Sequence, residues 1–63
     1  MKWNNMTPKQ KGETLSNMRK GSPFAQALAA LWVLADPYND DKLAQAFPEI
    51  VERYRGPIYD EGL

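Results

Sequence analysis

Pro23-Phe24-Ala25-Gln26-Ala27-Leu28-Ala29-Ala30-Leu31-Trp32-Val33-Leu34-Ala35-Asp36 is the stretch on which the reading of this 63-residue chain turns. Phe24, Leu28, Leu31, Trp32 and Ala35 recur at helical spacing and define one apolar face. Ala25, Ala29 and Val33 add a second apolar row, and Ala27, Ala30 and Leu34 a third. A helix that is apolar all round is normally buried all round. A chain this short has little material with which to surround one, because about 60 residues bury only about 60% of the surface they expose when unfolded. The stretch therefore predicts both a helix over 23–36 and a second copy of the chain packed against it.

On the carboxyl side, Asp36-Pro37-Tyr38-Asn39-Asp40 reads as a short loop. Pro37 disfavours helical geometry at Asp36, and Asn39 or Asp40 is suited to cap the next helix. Leu43, Phe47, Ile50, Val51 and Tyr54 then recur on one face, with Lys42, Gln45, Glu49, Glu52, Arg53 and Arg55 opposite, as in an ordinary amphipathic helix over 40–55. Pro48 interrupts it. Proline removes an amide and crowds the preceding turn, so the helix either kinks there or breaks into 40–46 and 48–55. Gly56-Pro57 closes the helix and leaves 56–63 as a tail, within which Ile58 and Tyr59 are candidates to fold back on the core.

On the amino side, Gly21-Ser22-Pro23 is strong punctuation. Gly21 is able to take the left-handed conformation that ends a helix, Ser22 to cap the next one, and Pro23 to occupy its first position. Thr7-Pro8 reads as another helix opening, leading into a weak and mostly polar helix over 8–20. Gly12 weakens it, and Leu15 and Met18 are its only clear apolar residues. Residues 1–6 read as a flexible or loosely docked tail. The resulting expectation is an all-α single domain: an αα-hairpin of Pro23–Asp36 against Asp40–Arg55, preceded by a short basic helix and paired into a dimeric four-helix arrangement. Its core and self-association surface would draw on Phe24, Leu28, Leu31, Trp32, Leu43, Phe47, Ile50, Val51 and Tyr54.

Composition narrows the chemistry. There is neither cysteine nor histidine, so disulfides, the usual zinc frameworks and the commonest catalytic bases and nucleophiles are missing. Asp40 and Asp41 are adjacent and would diverge on a helix, and Glu49 and Glu52 read as part of a solvated face. The four glycines are scattered and form no phosphate loop. No cofactor, metal site or catalytic residue is expected. The apolar run from Phe24 to Ala35 falls short of the roughly 20 residues a membrane span needs, and no signal peptide is apparent. The lack of cysteine fits a cytoplasmic protein.

Charge is balanced overall but divided along the chain. Residues 1–21 hold Lys2, Lys9, Lys11, Arg19 and Lys20 against Glu13 for a net +4, which the acidic remainder cancels. This division admits two explanations. The halves attract one another, within a protomer or across a dimer, or the basic arm serves an acidic partner. In the second, Lys9, Lys11, Arg19 and Lys20 would neutralise phosphates while Trp3 stacks on a base, making the protein a nucleic-acid-binding accessory factor. Helix 23–36 has no Arg, Lys or Asn to read base edges, which weighs against a helix-turn-helix. Protein–protein interaction fits better. Aromatic anchors dominate such interfaces, and Trp3, Tyr38 and Tyr59 are those left over for a foreign partner.

The polar start Met6-Thr7-Pro8-Lys9-Gln10-Lys11 and the pair Phe24-Ala25-Gln26-Ala27-Leu28-Ala29-Ala30-Leu31-Trp32 and Leu43-Ala44-Gln45-Ala46-Phe47-Pro48-Glu49-Ile50 resemble, in size and general character, the small early proteins of lambdoid bacteriophages, in particular those encoded between the exonuclease and excisionase genes. The resemblance spans the whole chain and carries no diagnostic motif. It implies a non-enzymatic protein of the host cytoplasm that binds a host or phage factor and influences the host cell cycle or the choice between lysis and lysogeny. It supplies no catalytic residues.

Overall fold

A computed structural model describes residues 2–55. Four α-helices come after a single 3-10 turn at Trp3–Asn5: α1 (Pro8–Arg19), α2 (Pro23–Val33), α3 (Pro37–Ala46) and α4 (Pro48–Tyr54). The described chain is all-α. Every α-helix opens on a proline at its first turn, where the missing amide costs nothing and the fixed φ already suits the helix.

Three of the four starts carry a side-chain cap. Thr7 and Gln10 form a reciprocal capping box, with Gln10 N donating to Thr7 Oγ1 at 3.1 Å and Thr7 N to Gln10 Oε1 at 2.9 Å. Ser22 Oγ accepts from Ala25 N at 3.2 Å. Asp36 Oδ1 accepts from Asn39 N at 2.8 Å. The segment 36–40, expected to be a loop, is therefore the start of α3. Asp36 is extended (ψ 173°), as a residue before proline should be, and that geometry is also what a helix cap requires. The same constraint shortens α2, expected to reach Asp36. The chain leaves the helix after Val33, through bonds from Leu34 N to Leu31 O and Ala35 N to Trp32 O.

Pro48 breaks the amphipathic helix rather than kinking it. Phe47 (φ −128°, ψ 50°) is the carboxyl cap of α3 and the residue from which α4 starts. The expected two-element hairpin is replaced by a different packing. The most extensive helix contact is α1 along α2, α1 also meets α4, and α3 rests on α4 and on the 3-10 turn. The weak basic helix is thus a central element. Thr14 and Met18 are fully buried on its inner face, and Leu15 packs beside them. Thr14 supports its own burial by donating to Gln10 O at 2.8 Å.

The amino-terminal segment, expected to be a flexible tail, is built into the core. Trp3 and Met6 are buried, and the Trp3 and Trp32 rings meet at 4.6 Å. Both indoles donate to the same oxygen, Asp40 Oδ1, Trp3 Nε1 at 2.6 Å and Trp32 Nε1 at 2.7 Å. Asp41 adds a second tie by accepting from Asn4 Nδ2 at 3.0 Å. Gly21 departs from expectation as well. Its backbone is not left-handed, and what excludes a side chain there is the Tyr54 ring, 2.6–2.7 Å from where a Cβ would sit. Asn17 Nδ2 donates to Tyr54 O at 3.0 Å and fixes α4 against the end of α1. The expectations for 56–63, including Tyr59, lie outside the described residues.

Substitutions at the junction and at the glycines should separate these effects. Asp40→Ala leaves two buried indole donors without an acceptor and should lower the unfolding free energy by about 2–4 kcal/mol in urea titrations, with Asp40→Asn costing less. Gly12→Ala, at an open helical position, should stabilise by up to about 1 kcal/mol, whereas Gly21→Ala should destabilise because the Tyr54 ring must move.

Candidate functional site

Helix α2 has two apolar faces and the fold uses one. Ala25, Leu28, Ala29 and Trp32 form the buried face, against α1 and the Trp3–Asp40 junction. Phe24, Ala27, Leu31 and Leu34 form the other, with Ala30 and Val33 flanking them, and all six are exposed. Exposure is 55% at Phe24, 54% at Leu31 and 83% at Leu34. No charged residue occurs from Gly21 to Ala35, and Gln26 is the one amide side chain on the helix. Contiguous exposed apolar surface of this kind makes the outer face of α2 the candidate site of the described chain.

The face has borders. At one end the Phe24 ring meets Phe47 edge-on, with centroids 5.8 Å apart. At the other, a groove of about 200 Å³ opens between α2 and α3, lined by Leu31, Leu34, Ala35, Asn39, Lys42 and Leu43. Tyr38, 68% exposed, stands at the start of α3, where Lys42 Nζ lies 5.0 Å from its ring centroid. A larger groove, of about 620 Å³, runs between the 3-10 turn and the α3–α4 side. Two carboxylates on its rim have partners within the chain: Asp41 accepts from Asn4 and Gln45, and Glu52 pairs with Arg55 at 3.2 Å. On the α2 face, beyond the Phe24–Phe47 contact, Ala27, Leu31 and Leu34 are exposed.

The residues singled out from sequence separate into three groups. Leu28, Trp32, Val51 and Tyr54 are in the buried core, and Leu43, Phe47 and Ile50 pack partly buried against it. Phe24 and Leu31, expected on the same face as Leu28 and Trp32, point outward instead. Both faces of α2 are apolar, so helical period has no means of choosing between them. Among the residues expected to meet a partner, Lys9, Arg19, Lys20 and Tyr38 are exposed. Lys11 turns toward the core, its Nζ 5.4 Å from the Trp3 ring centroid. Trp3 is 4% exposed, so it is a core residue and offers no stacking platform to a base. Leu34, the carboxyl cap of α2 and the most exposed of the large apolar residues, enters the sequence pattern only as part of a third row. Its position two residues before Asp36-Pro37, where α2 has to end, is the signal that sets it apart.

Among the described residues no side-chain ion pair joins the basic segment to the acidic one, while the amino terminus holds the Glu52 carboxyl below its ordinary value through a hydrogen bond. Within the same residues no group of three or more His, Cys, Asp or Glu side chains could hold a metal, and no helix is long and apolar enough to cross a membrane. No family model, curated protein or solved structure matches the chain.

The two faces of α2 should respond oppositely to charge. Leu34→Glu should change monomer stability by no more than about 0.5 kcal/mol. Trp32→Glu removes a buried ring and one donor to Asp40, and should cost at least about 3 kcal/mol, enough to unfold a domain of this size. Circular dichroism and urea titration at low protein concentration separate the two.

Proposed function

We propose that this is a non-enzymatic regulatory protein of the phage-early type that acts by docking the outer face of α2 onto another protein. The observation that carries this reading is the exposed row Phe24, Ala27 and Leu31 on a helix without charge, continued by Leu34 at its carboxyl cap. Large apolar side chains set around small ones supply the central anchors that dominate protein–protein binding energy, while a polar rim excludes water. Ser22, Asn39 and Lys42 provide such a rim. The resemblance to lambdoid early proteins supplies the biological setting: a host or phage factor as target, met in the host cytoplasm, with host physiology or the lysis–lysogeny decision as the outcome.

A nucleic-acid-binding accessory factor is the second reading, and the exposed side chains of Lys9, Arg19 and Lys20 on the outside of α1 favour it. It has lost its aromatic contribution, because Trp3 is buried. Its remaining support is electrostatic, and binding of that kind falls steeply with salt.

The test is affinity capture from a bacterial lysate with the wild-type protein and with the Leu31→Glu/Leu34→Glu variant, both checked for equal helix content. The expected result is a protein retained by the first and lost by the second. Identical sets from both, or none from either, would overturn docking through α2. Retention on DNA that weakens steeply with salt and disappears in Lys9/Lys11/Arg19/Lys20→Ala would put the nucleic-acid reading in its place.

A further inference from the structure

Within that docking reading, we infer that the first occupant of the outer α2 face is a second copy of the same face, paired antiparallel about a two-fold axis level with position 29. Phe24, Ala27, Leu31 and Leu34 are spaced three, four and three residues apart. This is the narrow seam pattern by which two helices interlock, not the broad stripe of a helix lying on a core. The broad stripe, Ala25, Leu28, Ala29 and Trp32, is already spent inside the fold.

The seam is complementary to itself in only one direction. In an antiparallel pair, residues equidistant from the axis face each other. Phe24 and Leu34 are each five positions from 29, and Ala27 and Leu31 are each two. Leu31 of one copy therefore enters the gap left by Ala27 of the other, and Phe24 lies against Leu34. A parallel pair would set Ala27 against Ala27 and leave a void at the centre of the seam. Two-fold interfaces require this kind of self-complementary patch.

Charge at the ends favours the same direction. Lys20 precedes the start of α2 and Asp36 follows its end, so an antiparallel pair turns the acidic end of one copy toward the basic start of the other. A parallel pair places Lys20 near Lys20 and Asp36 near Asp36. The opposed helix dipoles add in the same sense. Asp36 caps α3 by accepting from Asn39 N and Nδ2, so its charge acts on the other copy's Lys20 at range rather than through an unoccupied carboxylate. An eleven-residue helix is about 16 Å long, so the seam and its flanking Leu43 and Phe47 make a small interface, of the class that associates at micromolar concentration.

The chain has no cysteine, so introduced thiols report on register directly. Sedimentation equilibrium of the wild-type protein from low micromolar to a few hundred micromolar should show a monomer–dimer equilibrium, and Leu31→Glu should raise its dissociation constant by about tenfold or more. Ala27→Cys and Leu31→Cys proteins, one of them isotopically labelled, should form the mixed 27–31 disulfide when combined and cross-link slowly when alone. Preferential cross-linking of each variant with itself would overturn the antiparallel register. A wild-type protein that stays monomeric, or a dimer unaffected by Leu31→Glu and Leu34→Glu, would overturn self-pairing. These outcomes are separable from the docking reading. A monomer that captures a protein through α2 keeps docking and removes the dimer, whereas an α2-dependent dimer that captures nothing keeps the pairing and removes the foreign target.

Discussion

A single carboxylate oxygen, Asp40 Oδ1, accepts hydrogen bonds from two indoles, and three parts of the chain meet there: the amino-terminal turn through Trp3, α2 through Trp32, and α3 through Asp40 itself. Indole N–H groups are strong donors that are costly to bury without an acceptor. The two tryptophans can therefore enter the core only where such an acceptor reaches them. Hydrogen bonds to an ionised acceptor are also stronger than neutral ones. The junction orients α2 about its axis: with Trp32 held inward, Leu28 and Ala29 turn in with it, and Phe24, Leu31 and Leu34 have to face out. The exposed apolar face of α2 is thus the geometric consequence of an interaction on the other side of the helix.

The second constraint is local. Pro8, Pro23, Pro37 and Pro48 each open a helix, and each forces the residue before it out of helical geometry. The chain is consequently cut into short helices of seven to twelve residues, none long enough to be stable alone in water. They depend on one another for order. Tyr54 shows how tightly: its ring closes against Gly21, its carbonyl accepts from Asn17, and α4 is thereby fastened to the turn between α1 and α2.

The outer face of α2 sits on this framework as its unsatisfied remainder. A small fold with helices this short cannot cover a helix that is apolar all round, and surface-to-volume scaling leaves one side open. That side carries the interlocking spacing of a helix pair and small residues where a neighbour could approach. The function proposed for the protein and the self-pairing inferred for it both rest on that exposure, and neither needs any group to react.

Sequence by itself determined the all-helical class, the caps at Thr7 and Ser22, the fresh start available at Pro48, and the apolar character of α2, because these depend on residues within one turn of each other. It also held the signal for α3: Asp36-Pro37 has the same cap-then-proline form as Thr7-Pro8 and Ser22-Pro23, but the turn-forming residues Asn39 and Asp40 behind it favour a loop equally well. The burial of Trp3 was not legible. Its acceptor lies 37 residues away, and nothing in Lys2-Trp3-Asn4-Asn5 distinguishes a core tryptophan from an exposed one. Nor was the choice between the two faces of α2, since period alone cannot rank two apolar stripes. Tertiary structure decided both through one physical event, the sharing of the Asp40 carboxylate by two indoles, which a chain can make only after its distant parts have come together.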